Sequence, residues 1–281
     1  MIRSDNHIHT YYSADSKEPM ENVLQEAIKK GFTSLCFTDH MDYGFPTDKY
    51  GLDFTFSMEN YLKEIKTLSK KYPALTLRSG VEIGLKKDVF SLCHKLTETY
   101  PLDFVIGSTH LVDDIDPYYD AYWETYGETA GILHYYETTL ENIQMGFDFD
   151  VYGHIDYVIR YTPSMKKYRT EGNINDSYIN TLLKQSMEII QEILIQIVQR
   201  GYGIEVNTAG FKYGLGHPNP HEQILTLYKE AGGEILSIGS DAHEKAHLGY
   251  DFSKLPALLS QCGFAYYTEF ADRKPIMLPI D

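Results

Sequence analysis

Short apolar runs alternate with longer segments whose apolar residues recur every three or four positions, along nearly the whole chain. The runs at 2–9, 33–39 (TSLCFTD), 75–83 (LTLRSGVEI), 102–109 (LDFVIGST), 149–155 (FDVYGHI), 202–208 (YGIEVNT) and 234–240 (EILSIGS) read as buried strands. Between them, helical patterns lie near 18–30, 57–71, 86–99, 127–145, 177–200, 220–232 and 253–261. The segment 177–200 places Ile179, Leu182, Leu183, Ile190, Ile193, Leu194 and Ile197 at helical spacing and stops at Gly201. The first helix stops at Gly31 after Lys29 and Lys30, a basic last turn followed by the residue that best tolerates a left-handed cap. Strands that alternate with helices imply parallel βα units. Seven such units, with no Pro/Gly/Ser-rich linker and no internal repeat, predict a single α/β domain closed into a TIM-like barrel. A flat dinucleotide-binding sheet would carry G-x-G-x-x-G after its first strand, and that turn is absent.

Composition narrows the function. The 281 residues suffice for one large domain, and the formal charge of −15 opposes a broad grip on nucleic acid. No run approaches a membrane span, and the N-terminus lacks a basic region followed by an apolar core, so a cytoplasmic protein acting on a small molecule is expected. Cys36, Cys93 and Cys262 are odd in number and far apart, which fits reduced core residues better than disulfides.

In a parallel barrel the site forms at the carboxyl ends of the strands, so the residues there carry the chemistry. The first run ends in "HIH", His7 and His9, whose i, i+2 spacing points both rings to one side, with Asp15 close behind. The later runs deliver Asp39 and His40, Glu82, His110, His154 and Asp156, Glu205 and Asn207, then Asp241 and His243. Six of the eleven histidines fall at strand ends, which points to a multinuclear metal site. His94, His134, His217, His221 and His247 fall in helices or loops and read as structural or surface residues. Imidazole and carboxylate ligands without cysteine suit zinc, manganese or iron, two or three ions in all, rather than magnesium or calcium.

The ordered set HIHT, Asp15, TDH, GVE, GSTH, GHID and SDAH resembles the PHP (polymerase and histidinol phosphatase) family across nearly the whole chain. The length, "IEVNTAG" and the long segment after the fifth strand are similar to its histidinol-phosphatase branch. The resemblance implies a distorted (β/α)7 barrel and one phosphoesterase domain spanning 1–281. It also implies a trinuclear centre: His7, His9, Glu82 and Asp241 around one ion, Glu82 bridging to a second held by His110 and His154, and Asp15, His40 and His243 around a third. Asp15 is a variable point, since some members carry histidine there. Asp39 and Asp156 are expected to orient histidines from behind.

The implied reaction is hydrolysis of L-histidinol phosphate to histidinol and phosphate, within histidine biosynthesis. Glu82, Asp241, His243 and Arg160 would carry the chemistry. Arg160, matching an arginine of the phosphatase branch, is expected to bind phosphate, because guanidinium matches its geometry. It opens the basic island "RYTPSMKKYRT", in which Lys166 and Lys167 read as a solvated loop; Lys212 is a second candidate. Glu205, Asn207 and Asp42 are candidates for the organic end of the substrate. The aromatic loops 42–54 and 113–123 are placed to cover it. The alternatives are another phosphomonoester or nucleotide as substrate, an amidohydrolase-type barrel, and a non-catalytic metal-binding regulator. The amidohydrolase reading expects a bridging lysine on a middle strand, where this chain has Glu82 and His110. The oligomeric state is not legible.

Overall fold

A computed structural model describes residues 2–171 and 181–280. Its main sheet runs β1 (Ser4–Asp5), β2 (Ser34–Phe37), β4 (Thr76–Gly84), β5 (Phe104–Ser108), β6 (Val151–Tyr152), β7 (Gly203–Asn207) and β8 (Leu236–Gly239), all parallel. The two-residue β3 (His40–Met41) continues β2 after a break at Thr38–Asp39 and also pairs with β4. The ring closes beyond β1: Asn6 N donates to Ile238 O (3.0 Å), Asp241 N to His7 O and His9 N to Ala242 O (both 2.9 Å). The expected seven-membered α/β barrel is therefore present, with its first strand shorter than the pattern 2–9 suggested.

Strands such as β2 (SLCF) and β7 (GIEVN) are buried along their whole length because helices cover the outer face and side chains fill the inner one. Met20–Lys30 turns Met20, Val23, Leu24 and Ala27 inward at helical spacing and ends on Gly31 at φ +76°. Each large apolar side chain buried this way stabilises the fold by about 1.5–3 kcal/mol. The segments Met58–Lys71, Glu128–Met145 and Glu222–Glu230 form close to expectation, and Phe90–Thr99 and Leu255–Gln261 are each preceded by a 3-10 turn. Of the pattern at 177–200, Ile179 lies outside the described residues; 181–184 is helical, a turn follows, and Met187–Gln199 completes it.

Two features differ from expectation. The basic island is not a loop: it forms a 3-10 turn at Tyr157–Tyr161 and a helix at Pro163–Glu171, with Lys166 paired to Asp120 (2.5 Å). After residue 261, where no element was expected, β9 (Tyr266–Ala271) and β10 (Lys274–Pro279) form an antiparallel hairpin. It lies under the amino ends of the barrel strands. Phe270 packs with Cys36, Phe104, Ile106 and Val151, and Glu269 bonds Ser34 (3.0 Å) and Arg78.

Candidate metal centre

Period-two alternation puts Phe104, Ile106 and Ser108 on one face of β5, and Gly80, Glu82 and Gly84 on one face of β4. The inward stripe is apolar at the amino end and polar at the carboxyl end, where the Ser108 hydroxyl donates to Glu82 Oε1 (2.7 Å). Glu82 is fully buried, and its two oxygens divide the surrounding rings between them. Oε2 lies 3.0 Å from His7 Nε2, 3.5 Å from His9 Nε2 and 3.1 Å from His40 Nδ1. Oε1 lies 2.9 Å from His154 Nε2 and 3.2 Å from His110 Nε2.

Asp241 and Asp15 extend the cluster. Asp241 Oδ1 is 3.3 Å from His9 Nε2 and 3.6 Å from His243 Nδ1; Asp15 Oδ2 is 3.0 Å from His243 Nε2 and 3.8 Å from His40 Nε2. All nine residues expected around metal thus meet in one place. Among the described residues, four groups have donor atoms within 4.8 Å of one another: His7 with His9 and Glu82; Glu82 with His110 and His154; His9 with His40 and His243; and His40 with Asp42 and His110. His154 (φ +22°) and Asp241 (φ +53°) hold positive-φ backbone that side-chain-bearing residues rarely adopt. Gly239 is required by close approach, since a Cβ there would stand 2.3 Å from His7 Cβ and 2.5 Å from Glu205 Oε1.

The rings are fixed from behind. Glu205 Oε1 sits 2.6 Å from His7 Nδ1, and Asp42 Oδ2 sits 2.6 Å from His110 Nδ1. The Ser13 hydroxyl donates to Asp39 (2.8 Å), so it is free to accept from His9 Nδ1 (3.0 Å), which leaves the Nε2 lone pair facing the cluster. Asp39 therefore orients His9 through Ser13. Asp156 contacts no ring of the cluster; it accepts from Asn219 Nδ2 (2.5 Å) and His221 N (2.9 Å). Glu205 and Asn207, expected at the organic end, are buried and spent on other partners. Glu205 holds His7 and accepts from His154 N (3.0 Å), and Asn207 Oδ1 accepts from Arg160 Nη2 (3.1 Å).

The electrostatics fit a cationic guest. Burial alone would push the Glu82 carboxyl up, but His7, His110 and His40 around it hold it well below the usual carboxylate range. Burial, together with the neighbouring His243 and His40, pushes His9 well below the ordinary imidazole value, so this ring is neutral and offers a lone pair. His9 Nε2 and His40 Nδ1 stand near carboxylate oxygens without hydrogen-bond geometry, and they remain buried and unpartnered among the described residues. Uncompensated buried donors and acceptors are costly, and a divalent cation would satisfy them together.

A cavity of about 310 Å³ opens over the cluster. Its floor includes Asp15, His40, His110, His154, Asp241, His243 and Arg160; Phe45, Leu52, Phe54, Tyr118 and Tyr119 from the two aromatic loops line it too. Asp42 lines it, whereas Lys212 stands behind, its Nζ 3.4 Å from Asp241 O. Sequence reasoning missed Ser108, Asn219 and Asp116. Asp116 lies within an aromatic loop already singled out, but nothing marked Asn219, which sits before Pro220 in a loop far from any strand-end motif.

Residues 5–209 match the PHP domain family. A histidinol-phosphatase of Lactococcus lactis is 28% identical over 98% of this chain and 96% of its own. A probable histidinol-phosphatase of Clostridium acetobutylicum is 30% identical over 92% of this chain and 93% of its own. The crystal structure of histidinol phosphate phosphatase from L. lactis, complexed with zinc, L-histidinol and phosphate, superposes with TM-score 0.84 at 27% identity, covering 98% of both chains. Ligand series, barrel and full-length relatives agree: the chain belongs to the PHP family, on its histidinol-phosphatase branch.

Proposed function

We infer that residues 1–281 act as one metal-dependent phosphomonoesterase domain that hydrolyses L-histidinol phosphate to L-histidinol and phosphate. The observation that carries this is the fully buried Glu82 carboxylate, whose two oxygens are shared between separate sets of imidazoles. The cluster would fit two or three divalent transition-metal ions, zinc, manganese or iron: His7, His9, Glu82 and Asp241 would hold one; Glu82, His110 and His154 a second; Asp15, His40 and His243 a third. When bound, such ions acidify water and screen phosphoryl charge.

The chain's own residues supply the rest. Arg160 lines the cavity and binds the phosphate. Glu205, Asp42 and Ser13 keep His7, His110 and His9 turned toward the cluster. The aromatic wall covers the organic end and excludes water. Among the described residues no helix is long and apolar enough to cross a membrane, and the substrate is a small phosphoester.

The test combines element analysis of purified protein with turnover across a panel of phosphate esters. Histidinol phosphate is expected to be preferred, with at least two ions per chain. Comparable turnover of unrelated esters with none of histidinol phosphate would move the assignment to another phosphomonoester or a nucleotide.

A further inference from the structure

Arg160 is only 1% exposed, yet its position does not come from a salt bridge of the ordinary bidentate kind. Its Nε donates to Asn219 Oδ1 (2.6 Å), its Nη2 to Asn207 Oδ1 (3.1 Å) and its Nη1, more distantly, to Asp241 Oδ2 (3.4 Å). The rings of Tyr157 and Tyr213 lie 5.6 and 5.1 Å from the guanidinium carbon. A guanidinium has five N–H donors, so among the described residues three are taken and two are left for a ligand. Two amide oxygens thus orient the cation at close range, and the Asp241 carboxylate stands at the longer distance.

A side-chain amide can hold a cation only if its oxygen faces it. The oxygen and nitrogen of asparagine are nearly the same size, so the wrong face would present N–H to N–H. Asp156 decides the matter for Asn219. As a carboxylate it only accepts, and it takes Asn219 Nδ2 at 2.5 Å on one oxygen while His221 N donates to the other at 2.9 Å. The Asn219 oxygen is thereby obliged to face Arg160. The backbone of Asn219 is pinned as well, exchanging N–H to O bonds of 2.8 and 2.7 Å with Asn207. Asp156 and Asn219 are buried, at 0% exposure each.

We propose that Asp156 and Asn219 are positioning residues for phosphate binding: the carboxylate of Asp156 sets the Asn219 amide, and the Asn219 oxygen sets the Arg160 guanidinium. This rests on Arg160 as the phosphate ligand. It makes the order of donors and acceptors, rather than the presence of polar groups, the property that matters. Asp156→Asn is isosteric, but its new N–H₂ turns toward Asn219, so the Asn219 amide flips and its N–H₂ opposes Arg160 Nε. Asn219→Asp leaves two carboxylates in contact. The double exchange, Asp156→Asn with Asn219→Asp, restores donor to acceptor along the whole chain.

The experiment measures steady-state hydrolysis of histidinol phosphate, competitive inhibition by inorganic phosphate, and metal content. Each single variant should lower kcat/KM and raise the phosphate inhibition constant by about 10- to 100-fold, the usual loss when an orienting partner is removed, with metal content unchanged. The double exchange should recover to within about threefold of wild type. Wild-type kinetics in Asp156→Asn, or a folded double exchange no better than the singles, overturns the proposal. Should the singles fold poorly, Asp156→Asn is made in an Arg160→Ala background. No added loss per metal-loaded chain supports the proposal, and an undiminished loss overturns it by showing a purely structural role. Failure of the functional reading looks different: Arg160→Ala would leave phosphate inhibition unaltered, or wild-type protein would not turn over histidinol phosphate.

Discussion

At the amino end of the barrel Arg78 meets Glu269 and Ser34, and Arg273 meets Asp150 (2.6 Å) and Asp148 (3.0 Å). At the carboxyl end Asp15, Asp42, Glu82, Glu205 and Asp241 crowd six imidazoles, with the Arg160 guanidinium and the Lys212 amine beside them. The same inward-facing stripe serves both ends, apolar around Phe270 and polar around Glu82. Below, Arg78 is paired with Glu269, and Arg273 with Asp148 and Asp150. Above, His9 Nε2 and His40 Nδ1 are buried without hydrogen-bond partners among the described residues while carboxylates stand close by. One end is closed by its own chemistry and contributes stability; the other is built to be completed by something that is not protein.

Glu82 separates the two ends most sharply. Glu82→Ala should lower turnover by at least about a thousandfold, on the order of 4 kcal/mol of lost transition-state stabilisation, because on the proposed assignment one side chain would serve two ion positions. The metal-free variant should also unfold more easily than the metal-free wild type, since the deleted carboxylate accepts from Ser108 and faces His7, His110 and His154, which the deletion leaves without their buried anion. Turnover within tenfold of wild type would remove Glu82 from the centre.

Removal of the ions comes next. Dialysis against a chelator should abolish hydrolysis and lower the unfolding free energy by about 3–4 kcal/mol for each ion removed, if the ions are normally present at a hundred to a thousand times their dissociation constant. Zinc or manganese added back should restore both together. A thermal transition unmoved by chelation would show that the cluster does not hold metal in the folded protein.

The upper end was largely legible and the lower end was not, for physical reasons. A parallel barrel sends the last inward side chain of each strand to one rim, so ligand type and strand-end position suffice to find His7, His9, Glu82, His110, His154 and Asp241 without knowing any contact. Which acceptor backs which ring depends on a fraction of an ångström, so Glu205 and Asp42 could not be told apart in advance: one faces His7 and the other both His110 and the cavity. Asn219 reaches Arg160 from a loop and leaves no periodic trace. The hairpin escaped because its two-residue turn, Asp272–Arg273, takes positive φ at both positions without the glycine that normally announces it.

Phe270 tests that hairpin as a plug. Its ring stacks on Phe104 with centroids 4.9 Å apart and is 4% exposed. Phe270→Ala should cost about 3–4 kcal/mol of stability through lost burial and the cavity left behind, read as a shift in urea midpoint. Turnover per folded molecule should be unchanged at temperatures below the transition. Loss of activity in step with stability would mean that the two ends are mechanically linked.

The mildest effect expected is a pH dependence confined to the lower end. Burial pushes the Asp150 carboxyl up from 3.8 to about 6, although Arg273 beside it pulls the other way. The native state therefore holds a proton that the unfolded chain has released between about pH 4 and 6. Stability from this group is fully present below about pH 4 and is lost as pH rises through 6. The stability of wild type minus that of Asp150→Asn should fall over that window by about 2–3 kcal/mol at 1.36 kcal/mol per pH unit, and stay level above pH 7. Taking the difference cancels other acids, such as Asp39 and Asp116, whose carboxyls burial likewise raises to about 6. The pH profile of turnover should be the same in both proteins, because Asp150 caps Val105 N at the amino end of β5, while the ligand cluster stands at the other end of the barrel. A difference that rises with pH would mean that the Arg273 ion pair outweighs burial, and that charge at the closed end is a source of stability rather than a cost offset by the hairpin.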